Sequence, residues 1–403
     1  MKLYIKIFLM MFLTFLIGRN GVGQESVYLK ALAGVQEEKY VEAIELFNQL
    51  ITNNKSDYRL FMKRGESYYL MGGYQHAVED FLSAEDLQDD CSAFWLAKSY
   101  AKLDNPVEAV KYLRQHLESD LKKSEKEILL ERAFEELERT KDWRDLWKVD
   151  WYSEFERQKS DIEYQISNSN LDEALRKVNT LIHQKEDDAG LFYLRAIAYE
   201  KMLNYNQALV DYSLAVELGE GKIDYRLSRI KLYLLMQRPG DALNGINDIL
   251  LEHPEMFDLY LERSEVYKQL GNYELARESI DDYLVYFPCK DDVLYLGGII
   301  CYEAGSYFSS LDYFNKALEL SQARKEYFVA RGRTYYQLQT YFYADSDFGM
   351  ALDLDPFDSD IYLNRGKVRV KIGKFEGACY DFNKAFEMGE KKALSFLQKY
   401  CDY

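Results

Sequence analysis

Arg331-Gly-Arg-Thr-Tyr-Tyr-Gln-Leu-Gln-Thr-Tyr-Phe-Tyr-Ala344, followed by Asp347-Phe348, Ala351 and Pro356, is the stretch that decides the fold. Gly332 and Ala344 are small residues twelve apart. Tyr335, Tyr341 and Phe348 stand nine before, three before and four after that alanine. Working outward, the alanine recurs at steps of 34 residues: Ala174, Ala208, Ala242 and Ala276, then Ala378, with Ser310 filling one gap. Ala43 and Ala77 keep the same step, and Ala109 follows after 32. An aromatic or apolar residue lies three before most of them (Tyr40, Tyr74, Leu171, Tyr205, Tyr273, Tyr307, Phe375). Another lies four after (Phe47, Phe81, Tyr212, Ile280, Phe314, Phe382). Gly65, Ala196, Ser264, Gly298 and Gly366 repeat the small residue twelve before.

Such a period is a helical hairpin repeated along the chain. One small residue on each helix lets the two axes approach, and the rings fill the space between hairpins. Gly72, Gly271, Gly305 and Gly373 mark the break between the two helices. A single hairpin cannot bury its apolar face, so the units must stack. The five prolines agree, where ordinary usage of about 5% would give roughly twenty. With the key alanine numbered 20 in each unit, Pro254, Pro288 and Pro356 fall at position 32, in the turn between units. Pro106 and Pro239 fall at position 17, the first turn of the second helix, where the missing N–H costs nothing.

The pattern of small residue, Tyr, Ala, Phe, Ala and Pro resembles the tetratricopeptide repeat family over about 24–120 and 155–390. The resemblance implies an all-α, right-handed superhelical solenoid of about eleven antiparallel helix-turn-helix hairpins. Three units are expected in 24–120 and seven in 155–390, with 391–403 a capping helix that hides the last unit's apolar side. Between them the register fails: Ala109 and Ala174 are 65 apart, three short of two repeats. Segment 121–154 therefore reads as a degenerate unit. Its Trp143, Trp147 and Trp151, at i, i+4 and i+8, are expected on one face of one helix, either as core packing or as an aromatic docking face or hinge.

The net charge of −17, from 51 Lys+Arg and 68 Asp+Glu, argues against a nucleic-acid partner. Lys2 and Lys6, the apolar run from Ile7 to Ile17 and the small residues Gly21 and Gly23 read as a secretory signal peptide, 1–23, cut before Gln24. Cleavage would take the charge from −17 to −20 by removing Lys2, Lys6 and Arg19. The mature chain would then be exported, periplasmic or secreted, with no stable membrane span; an uncleaved anchor is the alternative. The five cysteines show no metal spacing and read as small buried hydrophobes. Cys379 and Cys401 could pair if the last helix folds back, but the reading leans against that bond. His76, His116, His183 and His253 are scattered, and neither a phosphate loop nor a nucleophile elbow is present. Catalytic residues, metal and cofactor are expected to be none.

Position 7 is arginine in Arg64, Arg195, Arg229, Arg263, Arg331 and Arg365, and position 23 is aspartate in Asp80, Asp211, Asp347 and Asp381. On facing helices these should form structural ion pairs within each unit. The resemblance places a ligand on the concave face, at positions 2, 5, 9, 12 and 13 of the first helices. In the last three units this gives a strip of Tyr295, Tyr302, Arg333, Tyr336, Lys367 and Lys371, suited to an extended peptide carrying carboxylates or apolar anchors. The Lys and Asn clamp with which some family members hold chaperone C-termini, at positions 5 and 9 of one unit, is missing. The leading reading is an exported, non-enzymatic scaffold for a protein or peptide, in envelope assembly or secretion. Alternatives are a glycan-binding repeat protein, motivated by the 35 tyrosines, and an all-helical toroid enzyme. The regular spacing leaves the enzyme no loops for paired carboxylates.

Overall fold

The computed structural model describes residues 24–401, which contain helices and no strand. The proposed signal peptide lies outside the described residues. The chain divides into two compact units at Leu232/Tyr233. The first unit holds three hairpins: a helix over 24–36 with Tyr40–Asn53, Tyr58–Leu70 with Tyr74–Glu85, and Ala93–Lys102 with Pro106–Glu118. After an irregular segment come Glu154–Ser167 with Leu171–Ile182 and Ala189–Lys201 with Tyr205–Leu218. The second unit contains Pro239–Glu252 and four hairpins: Asp258–Gln269 with Tyr273–Leu284, Asp291–Glu303 with Tyr307–Leu320, Lys325–Gln337 with Tyr341–Leu354, and Ser359–Lys371 with Phe375–Glu387. A last helix, Ala393–Tyr400, follows. Within each unit consecutive helices pack on one another.

The packing follows from the repeat. Ala43, Ala77, Ala208, Ala276, Ala344 and Ala378 are wholly buried, as are Phe47, Phe81, Phe314 and Phe382. In the hairpins with glycine at the small position of the first helix, the position-24 phenylalanine packs against that glycine. A methyl added at Gly65, Gly298 or Gly366 would meet that ring at 2.7, 2.4 or 2.5 Å. The break between helices needs one left-handed residue, which Gly72, Gly271, Gly305 and Gly373 supply at φ of 74° to 86°. Where glycine is absent, Glu38, Asp104, Ser169, Leu203, Gln237 and Gln339 adopt it at φ of 56° to 62°. The geometry is imposed on them, at about 1–2 kcal/mol each.

The tryptophan segment departs from expectation. Ser124 and Glu127 form a capping box for the short helix Glu125–Leu129. Two 3₁₀ turns, Arg132–Phe134 and Leu137–Arg139, then lead to a helix that ends at Leu146. Trp143, Trp147 and Trp151 therefore do not share one helix face. The helix stops, and the Trp151 indole N–H returns to donate to the Leu146 carbonyl at 2.9 Å, capping an end that would otherwise lack a donor. All three rings pack on a core of Leu113, Leu117, Ile128, Phe134, Leu137 and Leu146. They serve the interior of the first unit, so an aromatic docking face is not formed there.

At the other end, the helix Ala393–Tyr400 returns along Phe375–Glu387, and Phe396 stacks on Phe382 at 5.1 Å. This return brings the Cys379 and Cys401 Cα atoms to 5.6 Å, and the two form a disulfide. The sequence reading leaned against that bond, because spacing does not show how closely a capping helix doubles back. Cys91, Cys289 and Cys301 are free, and Cys289 is exposed.

Candidate partner-binding groove

Two of the three first helices that line the groove are held by arginine clamps, which recur in the first unit. Arg64, Arg195, Arg331 and Arg365 each make two parallel hydrogen bonds to the aspartate sixteen residues on: Asp80, Asp211, Asp347 and Asp381, at 2.5–3.0 Å. Burial pushes the Asp80, Asp347 and Asp381 carboxyls up, against the pull of their arginines. A third bond escaped the sequence reading. The other guanidinium nitrogen donates to an asparagine sixteen residues earlier, in the preceding hairpin: Asn48 for Arg64, Asn179 for Arg195, Asn315 for Arg331. All three asparagines are at position 25, so the signal was present in the period. Arg64, Arg195 and Arg331 thus join their own two helices and staple them to the hairpin before; Arg365, with Gly349 at that position, holds its own hairpin alone. Arg263, with Ser279 at position 23, bonds Ser279 and Asp282 instead. Arg229, whose unit has Gly245 there, keeps a buried Nε without a partner.

In the second unit Arg331 and Arg365 clamp the helices Lys325–Gln337 and Ser359–Lys371; the neighbouring first helix Asp291–Glu303 has Gly297 at the arginine position. Tyr295, Ile299, Tyr302, Val329, Arg333 and Ile361 line one cavity of about 390 Å³, together with Lys325, Glu326, Asp358 and Asp360. Tyr302 and Arg333 are shared with a second cavity of about 290 Å³, which adds Tyr336, Gln337, Asn364 and Lys367. Five of the six strip residues are thereby brought together. Lys371 is exposed and lines neither cavity. Leu363, at position 5 of the last first helix and so expected on the same face, is buried against the capping helix instead, 2% exposed. Lys325, Asp358 and Asn364 are lining residues that the sequence reading did not select.

The lining is apolar at its base and unevenly charged at its rim. Tyr295 stacks on Tyr327 at 4.9 Å, and burial pushes its hydroxyl up. The Tyr302 hydroxyl accepts a 3.3 Å hydrogen bond from Gln337 Nε2, tying neighbouring helices across the groove. Arg333 bridges to Asp360 at 2.7 Å with both side chains about half exposed, a pairing worth about 0–1 kcal/mol and easily exchanged. Lys367 is different. Its ammonium sits 5.4 Å from the Phe396 ring and 3.5 Å from the Asn364 amide oxygen. Among the described residues no carboxylate lies within ion-pair distance of it, and burial pushes its pKa down.

Charge is sorted by helix in the last two hairpins. The first helices carry Lys325, Arg331, Arg333, Arg365, Lys367, Arg369 and Lys371 against Glu326 and Asp360. The second helices carry Asp345, Asp347, Asp353, Glu376, Asp381 and Glu387 against Lys384. Arg331, Arg365 and Arg369 are neutralised by second-helix aspartates. Lys367 and Lys371, which have no ion-pair partner among the described residues, and Arg333, which pairs with Asp360 on its own face, form a basic edge on an acidic protein. Among the described residues no three His, Cys, Asp or Glu side chains gather as metal ligands. No helix there is long and apolar enough to cross a membrane.

Comparison with known proteins agrees on the architecture. Residues 257–284 match the tetratricopeptide repeat model. No curated protein matches the sequence. Among solved structures, the C-terminal part of a TPR repeat-containing protein from Cytophaga hutchinsonii superposes with a TM-score of 0.51 at 16% identity, over 59% of this chain and 99% of that one. A tetratricopeptide repeat protein from Parabacteroides merdae gives 0.40 at 22% identity, over 61% and 97%. The first TPR of Spaghetti (RPAP3), solved with an HSP90 peptide, gives 0.27 at 25% identity, over 27% and 89%.

Proposed function

We propose that this chain, a tetratricopeptide-repeat protein, is a scaffold that takes an extended, acid-bearing peptide segment of a partner along the first-helix face of its last three hairpins. Scaffolding of protein partners is common to such repeats; the choice of face and of ligand chemistry is our reading. The observation that carries it is Lys367, a half-buried cation at the groove wall that donates to a neutral amide and has no ion-pair partner among the described residues. A carboxylate from a ligand would restore the charge that burial penalises, in a low-dielectric setting where a charge-assisted hydrogen bond is strong. The apolar base of Ile299, Val329 and Ile361 would take a neighbouring aliphatic or aromatic side chain. The stacked tyrosines supply rigid contact area at small entropic cost.

The chain acts after export on this reading, in the periplasm or an equivalent compartment, serving envelope assembly or secretion. The N-terminal segment supports export. So does the Cys379–Cys401 disulfide, since such bonds persist in oxidising compartments. Sequencing the mature N-terminus tests this point: a start at Gln24 is expected, and a start at Met1 refutes it. Affinity capture from native envelopes with mass spectrometry tests the groove, comparing the wild type with a Tyr302→Ala/Tyr336→Ala/Lys367→Glu variant. The variant should lose the partners that bind through acidic segments. Equal recovery by both proteins would remove this groove as the site.

A further inference from the structure

The second-helix face of the same unit bears apolar side chains that nothing among the described residues covers. Phe308 and Phe342 occupy the same position of consecutive hairpins and are 80% and 70% exposed; Val285 is 59% exposed. Phe308 and Val285, with Pro288 and Leu294, border a groove of about 820 Å³ between the helices Tyr273–Leu284 and Tyr307–Leu320. Phe342 shares a helix face with Met350 and Asp353, at i, i+8 and i+11. Isolated exposed hydrophobics need no explanation, but a repeated ring beside a groove does.

The charge around these rings selects the occupant. Arg277 and Lys316, the groove's two cations, are already held, by Glu274 with Asp281 and by Asp312. Glu278, Glu319, Asp353 and Glu376 are exposed, and none has an ion-pair partner among the described residues. The unpaired charge beside the rings is therefore negative. A second copy of this face would set carboxylates against carboxylates, and an acidic segment or an anionic lipid surface would meet the same repulsion. A helix with one apolar side flanked by lysine and arginine satisfies both features: its apolar side fills the groove and its cations meet the rim.

We infer that the face around Phe308 and Phe342 docks a cationic amphipathic segment of a second partner. The first-helix groove and this face carry opposite free charge on opposite helices of the same hairpins, so one chain sorts two partners by charge.

The test uses the full mature chain and three labelled helical peptides: one of lysine and leucine with a single apolar side, one with glutamate for lysine, and one with serine for leucine. Fluorescence anisotropy should show binding of the Lys/Leu peptide alone, weakening as salt is raised. Phe308→Ala/Phe342→Ala should weaken it roughly ten-fold or more, and Lys367→Glu should leave it unchanged. Both rings are mostly exposed, so the double variant keeps the fold, which circular dichroism verifies. Equal binding by the double variant overturns the inference. So does equal affinity for the Glu/Leu or Lys/Ser peptide. Sedimentation equilibrium adds one more refuting outcome: a wild-type dimer that Phe308→Ala/Phe342→Ala dissociates would assign the face to self-association.

Discussion

A single methyl group placed at the small position of the first helix sets two forces against each other, and the four glycines found there separate them. In a helix interior, Gly→Ala gains about 1 kcal/mol through lower backbone entropy in the unfolded chain. The added Cβ must then fit beneath the position-24 ring. At Gly298 it would lie 2.4 Å from Phe314 Cε1, and at Gly366 2.5 Å from Phe382 Cε1. At Gly332 the nearest atoms, Asp347 Cβ and the Phe348 ring, are 3.3 Å away. Phe314 and Phe382 are wholly buried, so neither ring can retreat without moving its own helix. Overpacking of this kind costs about 1–3 kcal/mol. Gly298→Ala and Gly366→Ala, the two closest approaches, should therefore destabilise by up to about 2 kcal/mol net. Gly332→Ala should fall between neutral and about 1 kcal/mol stabilising. Repeat arrays can unfold in parts, so urea melts should be paired with hydrogen exchange read separately over residues 291–320 and 325–354. If Gly332→Ala costs as much as Gly298→Ala, ring-on-glycine packing does not set the hairpin spacing.

Two further outcomes follow from the same geometry. Asp347→Ala strands the Arg331 guanidinium, about 20% exposed, and should cost about 3 kcal/mol; Asn315→Ala removes one neutral acceptor and should cost about 1 kcal/mol. Chemical denaturation of the two variants checks that order. His116 gives the pH dependence: it is 4% exposed, its Nε2 accepts from the Lys123 N–H, and burial holds its pKa down to about 4 against an ordinary 6.5. The folded value lies below the unfolded one, so its stabilisation is complete above about pH 6.5 and is lost as pH falls toward about 4. The loss should be about 2 kcal/mol after allowance for solvent at the ring. A His116→Gln protein should lose that slope in denaturation midpoints measured across this range.

How much of this was legible from the sequence depended on whether a feature was periodic. The hairpins, their small positions and the proline addresses all recur at 34 residues, so each unit corroborates the others. The arginine and aspartate positions recur too. The position-25 asparagine recurs at the same step, but its use was hidden because an asparagine on a helix surface has no obvious demand to meet. Its partner became visible only once the preceding hairpin stood beside it. Features occurring once had no such support. The tryptophans at i, i+4 and i+8 invite a helix, yet the helix ends at Leu146 and the Trp151 indole folds back to cap that end. The Cys379–Cys401 bond likewise depends on where a single capping helix returns.

Charge shows the same division between a sum and its arrangement. The −17 of the whole chain is a far-field quantity and governs approach over distances beyond the Debye length, about 8–10 Å. A ligand seated in the groove responds to groups nearer than that. There the repeat register decides, since position 9 of a first helix and position 29 of a second helix lie on different sides of a hairpin whatever the total. The helices Lys325–Gln337 and Ser359–Lys371 hold seven of the basic residues in the last two hairpins, while their partner helices hold one, Lys384. Lys367→Glu leaves the repeat register and the clamps untouched and moves the net charge only from −17 to −19. It nevertheless inverts the groove cation that has no carboxylate partner among the described residues. An acidic segment should therefore be lost from the first-helix groove far more completely than the small change in total charge would cause. Asp353→Asn/Glu376→Gln shifts the total by the same amount in the other direction, on the opposite face, and should leave that segment bound.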